Sequence, residues 1–499
     1  MSRDFNGFRV TILGLGIFTG GAASARYYAI RGAEVTVTDL QSEQALRKSI
    51  ESLSEWPIRY VLGEHHEKDI TDADLVVVGP AVHDESPFLR LAMERNVPLT
   101  TEMNLVFEEC NRPIIGITGS NGKTTTTSLI AALFRSVYPA TLEGGNIGRS
   151  VLNELNSEVF NEEGIGGKKF TSSEPIRLDE ESKSEFPVVL EMSSFQLHRL
   201  AWIRRSPTVA VVTNLSPNHL DWHGTFEAYE EAKQHIVRYQ SKDDLAVLNA
   251  DDDRLTRWDN FCPGQVVWFS KEKPVKIGCY LRDGMVVYRN TEGERTVCPA
   301  DSLRLPGPHN QANLLAAVTV ACHHGIPSSV IQSTVEAFEG VEHRLEKVGK
   351  FNGVDYYNDS ACTTPESTVT ALRAIDKDVV LIAGGYDKGI AFHNMAEEVI
   401  RRTIAVVLIG MTGDKIESTI REKKTTGKPL IARTETLEEA VLLSADLAHP
   451  GDVVIMSPGC ASYDMFKNFE ERGKRFKAAV KELEETNNDT QSSKLSSRN

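Results

Sequence analysis

The sequence has few cysteines for its length, seven among 499 residues, and no two of them form a C-x-x-C pair. An odd, scattered set of this kind argues against a disulfide framework and against a zinc cluster. Long apolar runs are also missing, because no window approaches the roughly eighteen residues that a membrane-spanning helix needs. The N-terminal stretch MSRDFNGFRV has no long apolar core either. These absences predict a reduced cytoplasmic protein with no membrane partner.

Positive charge is scarce as well. Lysine and arginine total 55 against 70 acidic residues, which gives a formal net charge of -15. A phosphate backbone requires a basic face, so nucleic acid is excluded as the main partner. Small anionic ligands stay compatible with this charge, because a few lysines and helix N-termini are enough to bind them. The length predicts two to four domains, and 40% hydrophobic with 25% charged residues is typical of a globular protein.

Short apolar segments alternate with helical ones along the chain. The strand candidates are FRVTILGLG (8–16), AEVTVTDL (33–40), DLVVVGPAV (74–82), PIIGITG (113–119), FPVVLEMSSF (186–195), TVAVVTNLS (208–216), VVLIAGG (379–385), IAVVLIG (404–410) and DVVIMSPG (452–459). This alternation predicts an α/β protein with mainly parallel sheets, whose ligands bind outside the carboxyl ends of the strands. We expect three consecutive α/β domains.

The domain limits follow from shifts in composition. We predict an N-terminal domain over 1–110, a central domain over 111–343 and a C-terminal domain over 344–485. A polar, patternless stretch at 156–185 is typical of a surface insertion. The segment from 486 to 499, TNNDTQSSKLSSRN, is typical of a disordered tail.

The stretch GITGSNGKTTTT (116–127) follows an apolar strand and precedes the helical segment SLIAALF. It does not fit G-x-x-x-x-G-K-[ST], because its glycines are three residues apart. The context still fits a phosphate-binding loop: glycines let backbone N–H groups converge on phosphate oxygens at a helix N-terminus. Lys123 would then neutralise phosphate charge and Thr124 would ligate Mg²⁺. The alternative is a strand-to-helix turn with a solvated lysine.

The stretch GLGIFTGG (14–21) is similar to a dinucleotide fingerprint, and Asp39 closes the next strand where a ribose-binding acid would lie. Its third glycine comes one residue late. We therefore keep three hypotheses open for this turn: a nucleotide-diphosphate site, an NAD site and a purely structural turn.

Two further segments contain residues of the types that bind metal ions. Glu191 ends a predicted strand in EMSSFQL (191–197), where a carboxylate could hold a metal or could simply face solvent. NHLDWHGTFEAYEEAK (218–233) supplies His219 and Lys233, which could build a second metal site, although lone histidines are more often structural.

Taken together, the motifs resemble those of the Mur ligases over nearly the whole chain, apart from 156–185 and the tail. The resemblance rests on GITGSNGKTTTT, GGNIG (144–148), EMSSFQL, NHLDWHGTFEAYEEAK, GPHNQAN (307–313), EHR (342–344), NDSACTT (358–364), GGYDKG (384–389) and SPGCASYDMFKNFEERG (457–473), in this order. EMSSFQL and the last motif are the most specific, and they are similar to the D-glutamate-adding members of the family.

The resemblance implies a Rossmann-like N-terminal domain, a central ATPase domain of the phosphate-loop type and a Rossmann-like C-terminal domain. It implies an ATP-dependent amide ligase of peptidoglycan precursor synthesis. ATP would phosphorylate the carboxylate of UDP-N-acetylmuramoyl-L-alanine, and the amine of D-glutamate would displace the phosphate. The implied cofactors are ATP, two Mg²⁺ ions and a carbamylated lysine, and the protein is expected to be a cytoplasmic monomer.

The resemblance also implies roles for individual residues. Lys123, Lys233, His219 and Lys388 match the catalytic positions. ATP would be bound by Gly119, Asn121, Gly122, Lys123, Thr124, Thr125, Asn313, Arg344 and Asp359. The UDP-sugar would be bound by Gly14, Gly16, Asp39, Asn146, Ser193 and Gln196. D-Glutamate would be bound by Thr363, Lys388, Ser462 and Phe469. The metal ligands would be Thr124, Glu191, His219 and carbamylated Lys233.

One position departs from the family pattern. The family usually has N-D-S-K-A-T where this chain has Asn358-Asp359-Ser360-Ala361-Cys362-Thr363, so Ala361 replaces a lysine. One lost charge-assisted hydrogen bond is worth about 1.5–3 kcal/mol. The change makes a second hypothesis worth testing, a nucleotide-binding protein of the same fold that has lost ligation. A third hypothesis, a Rossmann dehydrogenase, rests on GLGIFTGG alone.

Overall fold

The computed structural model describes residues 4–16, 19–155, 186–423 and 427–496, of which Asp221 and residues 484–496 are described by their backbone alone. The predicted insertion at 156–185 lies outside the described residues. The chain divides into two compact units. The first comprises Met1–Ser302 and Ala312–Ala337, and the second comprises Leu303–Gln311 and Phe338–Asn499.

The first unit opens with a parallel sheet of five strands. The strands are Arg9–Leu13 (β1), Glu34–Asp39 (β2), Ile58–Leu62 (β3), Leu75–Val78 (β4) and Leu99–Thr100 (β5), in the order β3-β2-β1-β4-β5. Its helices are Thr19–Ile30 (α1), Glu43–Glu51 (α2), Glu67–Thr71 (α3), Pro87–Glu94 (α4) and Glu102–Glu109 (α5). The strand order reverses between β1 and β4, so a ligand crevice is expected beyond their carboxyl ends.

A second sheet of nine strands completes the first unit. Its strands are Ile114–Thr118 (β6), Leu142–Gly145 (β7), Val188–Glu191 (β8), Val209–Val212 (β9), Leu245–Asn249 (β10), Gln265–Ser270 (β11), Gly278–Arg282 (β12), Met285–Asn290 (β13) and Gly293–Pro299 (β14). The order is β14-β13-β12-β11-β10-β9-β6-β8-β7, parallel from β7 to β12 and antiparallel at β13 and β14.

The helices that follow β6 are Lys123–Arg135 (α6), Leu152–Leu155 (α7), Ser194–Leu200 (α8), Leu220–His223 (α9), Phe226–Arg238 (α10), Pro308–His323 (α11) and Ser328–Ala337 (α12). Two short 3-10 helices cover Leu255–Asn260 and Ala300–Ser302. Helix α11 passes from one unit to the other, since its residues up to Gln311 belong to the second unit.

The second unit holds a sheet of six strands. They are Glu346–Phe351 (β15), Val354–Asn358 (β16), Val379–Ala383 (β17), Thr403–Leu408 (β18), Leu430–Arg433 (β19) and Val453–Met456 (β20), in the order β15-β16-β20-β17-β18-β19. Only the β15–β16 pairing is antiparallel among the described strands of this sheet. Its helices are Pro365–Ala374 (α13), His393–Arg402 (α14), Gly413–Lys423 (α15), Leu437–Leu447 (α16) and Phe469–Ser496 (α17).

This six-stranded sheet is buried on both faces. Val379 and Leu381 of β17 pack into one apolar cluster, whereas Val380 and Ile382 pack into another. Successive side chains of a strand point to opposite faces, so a continuous apolar run is what a sheet covered by helices on both sides requires. The carboxyl ends of β16, β17 and β20 lie at one edge, where the predicted amino-acid-binding segments begin.

The predicted fold class is confirmed: three α/β sheets follow one another along the chain, and most of their pairings are parallel. The domain limits at 110 and 343 stay predictions. The C-terminal prediction differs from the structure, which continues α17 to Ser496 where the sequence indicates disorder from 486. After Gly473 there is neither glycine nor proline to end this helix before Ser496. No helix among the described residues is long and apolar enough to cross a membrane.

Candidate active site

The loop between β6 and α6 needs glycine because of what surrounds it. Gly119 and Gly122 have φ values of +148° and +82°, in the region that favours glycine. A Cβ on Gly119 would lie 1.9 Å from Oγ1 of Thr213, and one on Gly122 would lie 2.2 Å from Oδ1 of Asn313. Gly116 is different, because it lies in β6 and its Cβ would meet Pro207 at 2.7 Å. The three-residue spacing therefore combines one packing glycine with two loop glycines.

The loop is held by the two residues that follow β9, Thr213 and Asn214. The backbone N–H of Asn121 donates to Oδ1 of Asn214 at 3.0 Å, and the carbonyl of Asn121 accepts from Oγ1 of Thr213 at 2.6 Å. Lys123, the first residue of α6, donates from Nζ to the carbonyls of Gly119 and Ser120, both at 3.0 Å. The ammonium group therefore lies over the loop, at a helix N-terminus, where an anionic ligand is stabilised. Thr125 lies half-buried in the first turn of α6.

A carboxylate closes one side of this loop. Glu191, at the end of β8, is 2% exposed and uses both oxygens. Oε2 accepts from Oγ1 of Thr124 at 2.7 Å, and Oε1 accepts from Nδ2 of Asn146 at 2.8 Å. The backbone N–H of Asn146 also donates to the carbonyl of Glu191 at 2.9 Å. Two of the predicted metal ligands, Thr124 and Glu191, are thus in direct contact.

A buried lysine lies on the other side of the loop. Lys233 of α10 is 1% exposed, and its Nζ donates to Oγ1 of Thr118 and to the carbonyl of Gly119, both at 3.0 Å. Burial, followed by the nearby charge of Lys123, lowers the pKa of Lys233 well below its ordinary value, although Glu191 opposes this shift. A neutral amine therefore forms far more readily here than at a surface lysine.

His219 lies at the start of α9 and is exposed, with a left-handed backbone at φ 52°. Its ring centroid lies 4.9 Å from that of Phe195 and 6.5 Å from that of Tyr229. Tyr229 in turn lies beneath the ammonium of Lys233, whose Nζ is 4.8 Å from the ring centroid. This brings His219 to the same side of the loop as Lys233.

The donor set fits Mg²⁺. Hydroxyl and carboxylate oxygens are its preferred protein ligands, and Mg²⁺ usually keeps several waters, so one or two side chains are enough. No cluster of three or more His, Cys, Asp or Glu residues that could form an all-protein cage occurs in the described part of the chain. Thr124 and Glu191 are the residues that would hold the ion next to the loop.

A cavity of about 230 Å³ opens beyond the carboxyl ends of β1 and β4. It is lined by Gly14, the first turn of α1, Gly79, Asn146, Gln196 and Arg199, among others. Three predicted UDP-sugar residues, Gly14, Asn146 and Gln196, lie on its wall, whereas Gly16, Asp39 and Ser193 are not among the residues that line it. Asn146 contacts Glu191, so the wall of the cavity adjoins the phosphate loop.

Asp39 and the glycines of GLGIFTGG shape the turn beneath this cavity. Both oxygens of Asp39 accept backbone N–H groups, Oδ2 from Gly16 at 2.9 Å and Oδ1 from Gln41 at 2.8 Å. Gly21, the last glycine of this stretch, has a packing role, because a Cβ there would lie 2.2 Å from the carbonyl oxygen of Leu15. Ser193 and Gln196 form the capping box of α8, in which Ser193 N–H donates to Oε1 of Gln196 at 2.9 Å.

The other predicted nucleotide residues are divided between the two units. Asp359 follows β16 and is buried, and its oxygens accept from the N–H of Leu345 at 3.1 Å and from Oγ of Ser457 at 2.7 Å. Burial raises the pKa of Asp359 to about 6, against the lowering effect of these hydrogen bonds. Arg344 is exposed, one turn before β15. Asn313 lies in the first unit, where its Oδ1 accepts from Oγ1 of Thr126 at 3.3 Å.

A buried arginine joins the segments that carry the predicted D-glutamate residues. Arg472 of α17 is fully buried, and its guanidinium donates to the carbonyls of Ser360 at 2.9 Å and Cys460 at 3.1 Å. Oγ of Ser360 donates to the carbonyl of Phe469 at 2.7 Å. Three chain segments, which contain Thr363, Ser462 and Phe469, are therefore tied together at the edge of the sheet.

The remaining two positions at this edge are Lys388 and Ala361. Lys388 is exposed in the turn after β17, beside Asp387, whose carboxylate pairs with Lys415 at 3.1 Å. Ala361 is half-buried, and its N–H donates to the carbonyl of His343 at 3.0 Å. The backbone turn is thus held by hydrogen bonds that do not need a lysine side chain at this position.

Sequence reasoning missed Glu102, Arg199 and Arg472. Glu102 and Arg199 line the cavity, and Arg472 organises the second unit. Arg472 lies inside the quoted motif SPGCASYDMFKNFEERG, so its place beside Ser462 and Phe469 was a usable signal. For Glu102 and Arg199 no local signal exists, since they reach the cavity through tertiary packing.

The geometry defines a nucleotide-binding α/β protein with a phosphate loop, an adjoining carboxylate and a separate cavity. Comparison with known proteins identifies the class. Family models match three stretches: the Mur ligase MurD-like N-terminal domain over 8–101, the Mur ligase middle domain over 117–321, and the Mur ligase glutamate ligase domain over 343–460. The chain belongs to the Mur ligase family.

Individual relatives are similar over nearly the full length. A protein of Roseiflexus sp. (strain RS-1) is 38% identical over 95% of this chain and 98% of its own. One of Symbiobacterium thermophilum is 39% identical over 95% and 98%. Both are named UDP-N-acetylmuramoylalanine–D-glutamate ligase.

Solved structures share the fold. The UDP-N-acetylmuramate-alanine ligase MurC of Thermotoga maritima matches with a TM-score of 0.58 at 20% identity, over 96% of this chain and 99% of its own. The MurF ligase of Thermotoga maritima in complex with ADP matches with a TM-score of 0.54 at 18% identity, over 97% of both chains.

Proposed function

We propose that this chain ligates D-glutamate to UDP-N-acetylmuramoyl-L-alanine at the expense of ATP, in peptidoglycan precursor synthesis. The observation that carries the proposal is the arrangement of Lys123, Thr124, Glu191 and Lys233 around one loop. The names of its full-length relatives support the choice of substrates. We further propose that the protein works as a monomer in the cytoplasm.

The chemistry explains why this arrangement is needed. A carboxylate is a poor electrophile until one of its oxygens becomes a phosphate leaving group, so the reaction proceeds through an acyl phosphate. Negative charge grows on the transferring phosphoryl group, and catalysis consists of positioning this group and offsetting its charge. Lys123, over the loop carbonyls, would move onto the terminal phosphates, and the N–H groups at the start of α6 would face them.

Thr124 and Glu191 would hold Mg²⁺, which when bound offsets phosphate charge and orients the phosphates. We propose that His219 and carbamylated Lys233 hold a second ion. The neutral amine that burial favours at Lys233 is the form that reacts with carbon dioxide. Its nitrogen would attack the carbon atom, lose a proton and become a carbamate anion. Lys233 would then carry a negative charge where its ammonium form would repel a metal.

We propose that the cavity next to Gly14, Asn146 and Gln196 takes the UDP-sugar, with Gly16, Asp39 and Ser193 shaping its walls from behind. Because Asn146 hydrogen-bonds to Glu191, it would join the bound sugar-peptide to the phosphate loop. Asn313 of the first unit would contact ATP, as would Arg344 and Asp359 of the second unit. Thr363, Lys388, Ser462 and Phe469, which also belong to the second unit, would hold D-glutamate, with Lys388 pairing a carboxylate.

Phosphate release with each substrate omitted in turn tests the proposal. Incubation with UDP-N-acetylmuramoyl-L-alanine, D-glutamate and Mg-ATP should release phosphate only when all are present. ATP binding without phosphate release under any combination would favour the non-ligating alternative that Ala361 suggests. Binding of NAD that UDP-sugar does not displace would favour the dehydrogenase.

A further inference from the structure

Of the described residues that line the 230 Å³ cavity, two have ionisable side chains, Glu102 and Arg199. Glu102 is the first residue of α5, directly after the N-cap Thr101, whose Oγ1 accepts from the N–H of Asn104 at 3.1 Å. The helix start therefore fixes the backbone of Glu102 and directs its side chain into the cavity. Glu102 is the single source of negative charge among these lining residues.

The carboxyl group of Glu102 lies against the first turn of α1. Its Cδ atom is 3.7 Å from the position that a Cβ on Gly20 would occupy. Gly20 is the second residue of α1, and the N-terminus of this helix follows the glycine-rich turn. That end of a helix is where backbone N–H groups and the helix dipole favour a phosphate. The glutamate thus lies beside the place where a ligand phosphate would bind.

A short hydrogen-bond chain holds this carboxyl in place. Oγ of Ser150 donates to Oε1 of Glu102, and the N–H of Ser150 donates to Oγ1 of Thr19 at 2.9 Å. Oγ1 of Thr19 in turn donates to the carbonyl of Gly148 at 3.0 Å. The bond from Ser150 joins α5 to the loop after Asn146, and the bonds of Thr19 tie that loop to the start of α1. The carboxyl therefore cannot leave the cavity without breaking its bond to Ser150.

We infer that the affinity of this cavity for its ligand depends on whether the carboxyl group of Glu102 is protonated. Protonated, its carboxyl is neutral and its O–H can donate to a phosphate or sugar oxygen; ionised, it places a like charge beside the diphosphate. The inference rests on the proposed function, in which the cavity takes a UDP-sugar. Glu102 would then be a specificity residue of this cavity, and its protonation state would change the affinity for the ligand.

The charged and titratable groups on the helices that pack against α5 have partners of their own. Helices α1, α7 and α8 pack against α5, and their charged or titratable side chains are Arg26, Tyr27, Tyr28, Glu154, His198 and Arg199. Arg26 lies over Trp56, Tyr27 and Tyr28 pack with Phe5, Glu154 pairs with Arg149, and His198 pairs with Asp84. Arg199 lines the same cavity but donates to the carbonyl of Gly79 at 2.8 Å.

The electrostatics of the site agree with this role. Burial raises the pKa of Glu102 above its ordinary value, and the hydrogen bond from Ser150 offsets only part of the shift. An added diphosphate raises it further, because like charges oppose ionisation. Linkage then requires that ligand binding takes up protons in the pH range between the two values.

Calorimetry on the full chain tests the inference, with UDP-N-acetylmuramoyl-L-alanine as the probe and no ATP present. Titrations from about pH 5.5 to about pH 8.5 keep the probe's diphosphate and carboxylate ionised throughout. In wild type, affinity should fall about ten-fold or more across this range, since one pKa unit equals a factor of ten. Buffers of different ionisation enthalpy should reveal proton uptake on binding.

The variant Glu102→Gln keeps the shape and a hydrogen-bond donor but cannot ionise. Its affinity should stay near that of wild type at low pH, lose the decline at high pH and show no proton uptake. Glu109→Gln, on the same helix but outside the cavity, serves as the matched control and should behave as wild type. An equal decline in Glu102→Gln and wild type would overturn the inference. Absence of binding at every pH in wild type would instead overturn the assignment of the cavity to a UDP-sugar.

Discussion

Oγ1 of Thr124 donates to Oε2 of Glu191 at 2.7 Å, which joins the first turn of the helix after the phosphate loop to the end of a neighbouring strand. Because Asn146 occupies the other oxygen of Glu191, the carboxylate is held in one orientation from two sides. In the proposed ligase this pair would hold Mg²⁺ at the loop. The geometry is therefore set by the fold before any ion binds.

The variant Glu191→Gln tests this role. Glutamine can keep a contact with Thr124 or with Asn146 but removes the negative charge that attracts the ion. We expect the Mg²⁺ concentration for half-maximal phosphate release to rise about ten-fold or more, since loss even of a residue that only supports a metal ligand typically costs about 10–100-fold in metal affinity. Glu227→Gln, an exposed change on α10, is the control. An unchanged Mg²⁺ requirement would show that the carboxylate does not hold the metal.

Lys233 gives a prediction that depends on carbon dioxide. Replacement by alanine should abolish turnover, and a small carboxylic acid in solution should restore part of it by supplying the missing anion. Depleting bicarbonate should lower wild-type activity without affecting Lys233→Ala plus acid. The exposed Lys242→Ala is the control. If no acid rescues Lys233→Ala, and bicarbonate has no effect on wild type, carbamylation is wrong.

The raised pKa of Asp359 predicts that the stability of the folded protein depends on pH. Burial raises its pKa to about 6 in the folded protein, from a model-compound value of 3.8. A carboxyl with a raised folded pKa contributes stability that is fully present below the unfolded pKa and is lost as pH rises through the folded one. The difference between these two pKa values corresponds to roughly 3 kcal/mol.

Urea unfolding of wild type and Asp359→Asn between about pH 4 and pH 7 measures this effect. The free energy of unfolding of Asp359→Asn, relative to wild type, should rise with pH, because asparagine does not ionise. Asp376→Asn, which replaces an exposed acid of the same unit, is the control. A constant difference across the range would show that Asp359 keeps an ordinary pKa.

The sequence predicted well those parts of the fold that depend on a local sequence pattern. β6, β17 and β20 are continuous apolar runs, and a buried parallel sheet needs such runs. The loop after β6 was predicted because strand, glycines, Lys123 and Thr124 stand in order. The antiparallel edge β13–β14 was missed, because Gly293–Pro299 is largely exposed and has little apolar content to mark a strand.

The residues of the candidate site could likewise be predicted only where a local motif marks them. Contacts that join distant segments cannot be deduced from spacing: Glu102 reaches Ser150, and Arg472 reaches Ser360. Electrostatic states are equally hidden, since the lowered pKa of Lys233 follows from burial that only tertiary packing creates. Asp39 differs from these residues because its position in the motif marked it as a ligand-binding candidate. In the structure both of its oxygens accept backbone N–H groups, a contact that the motif does not reveal.

Ala361 offers the most direct test of how this chain differs from its family. Its backbone N–H donates to the carbonyl of His343, so the turn forms without the lysine that the family pattern has. Fully buried Arg472 binds carbonyls of the same segment and is not available to replace the missing charge on a ligand. Restoring the lysine should therefore add a cation to the proposed D-glutamate site, whose ligand would carry two carboxylates.

We expect Ala361→Lys to lower the KM for D-glutamate about ten-fold or more, because one charge-assisted hydrogen bond contributes about 1.5–3 kcal/mol. The KM for ATP should change less. Ala361→Met has a comparable length without charge, so it separates the effect of the cation from that of added bulk. Steady-state phosphate release, measured over a range of D-glutamate concentrations and separately over a range of ATP concentrations, gives the two KM values. A KM that is unchanged in Ala361→Lys, or lowered equally in Ala361→Met, would show that the pocket has been rebuilt around alanine and no longer accepts a charge at this position.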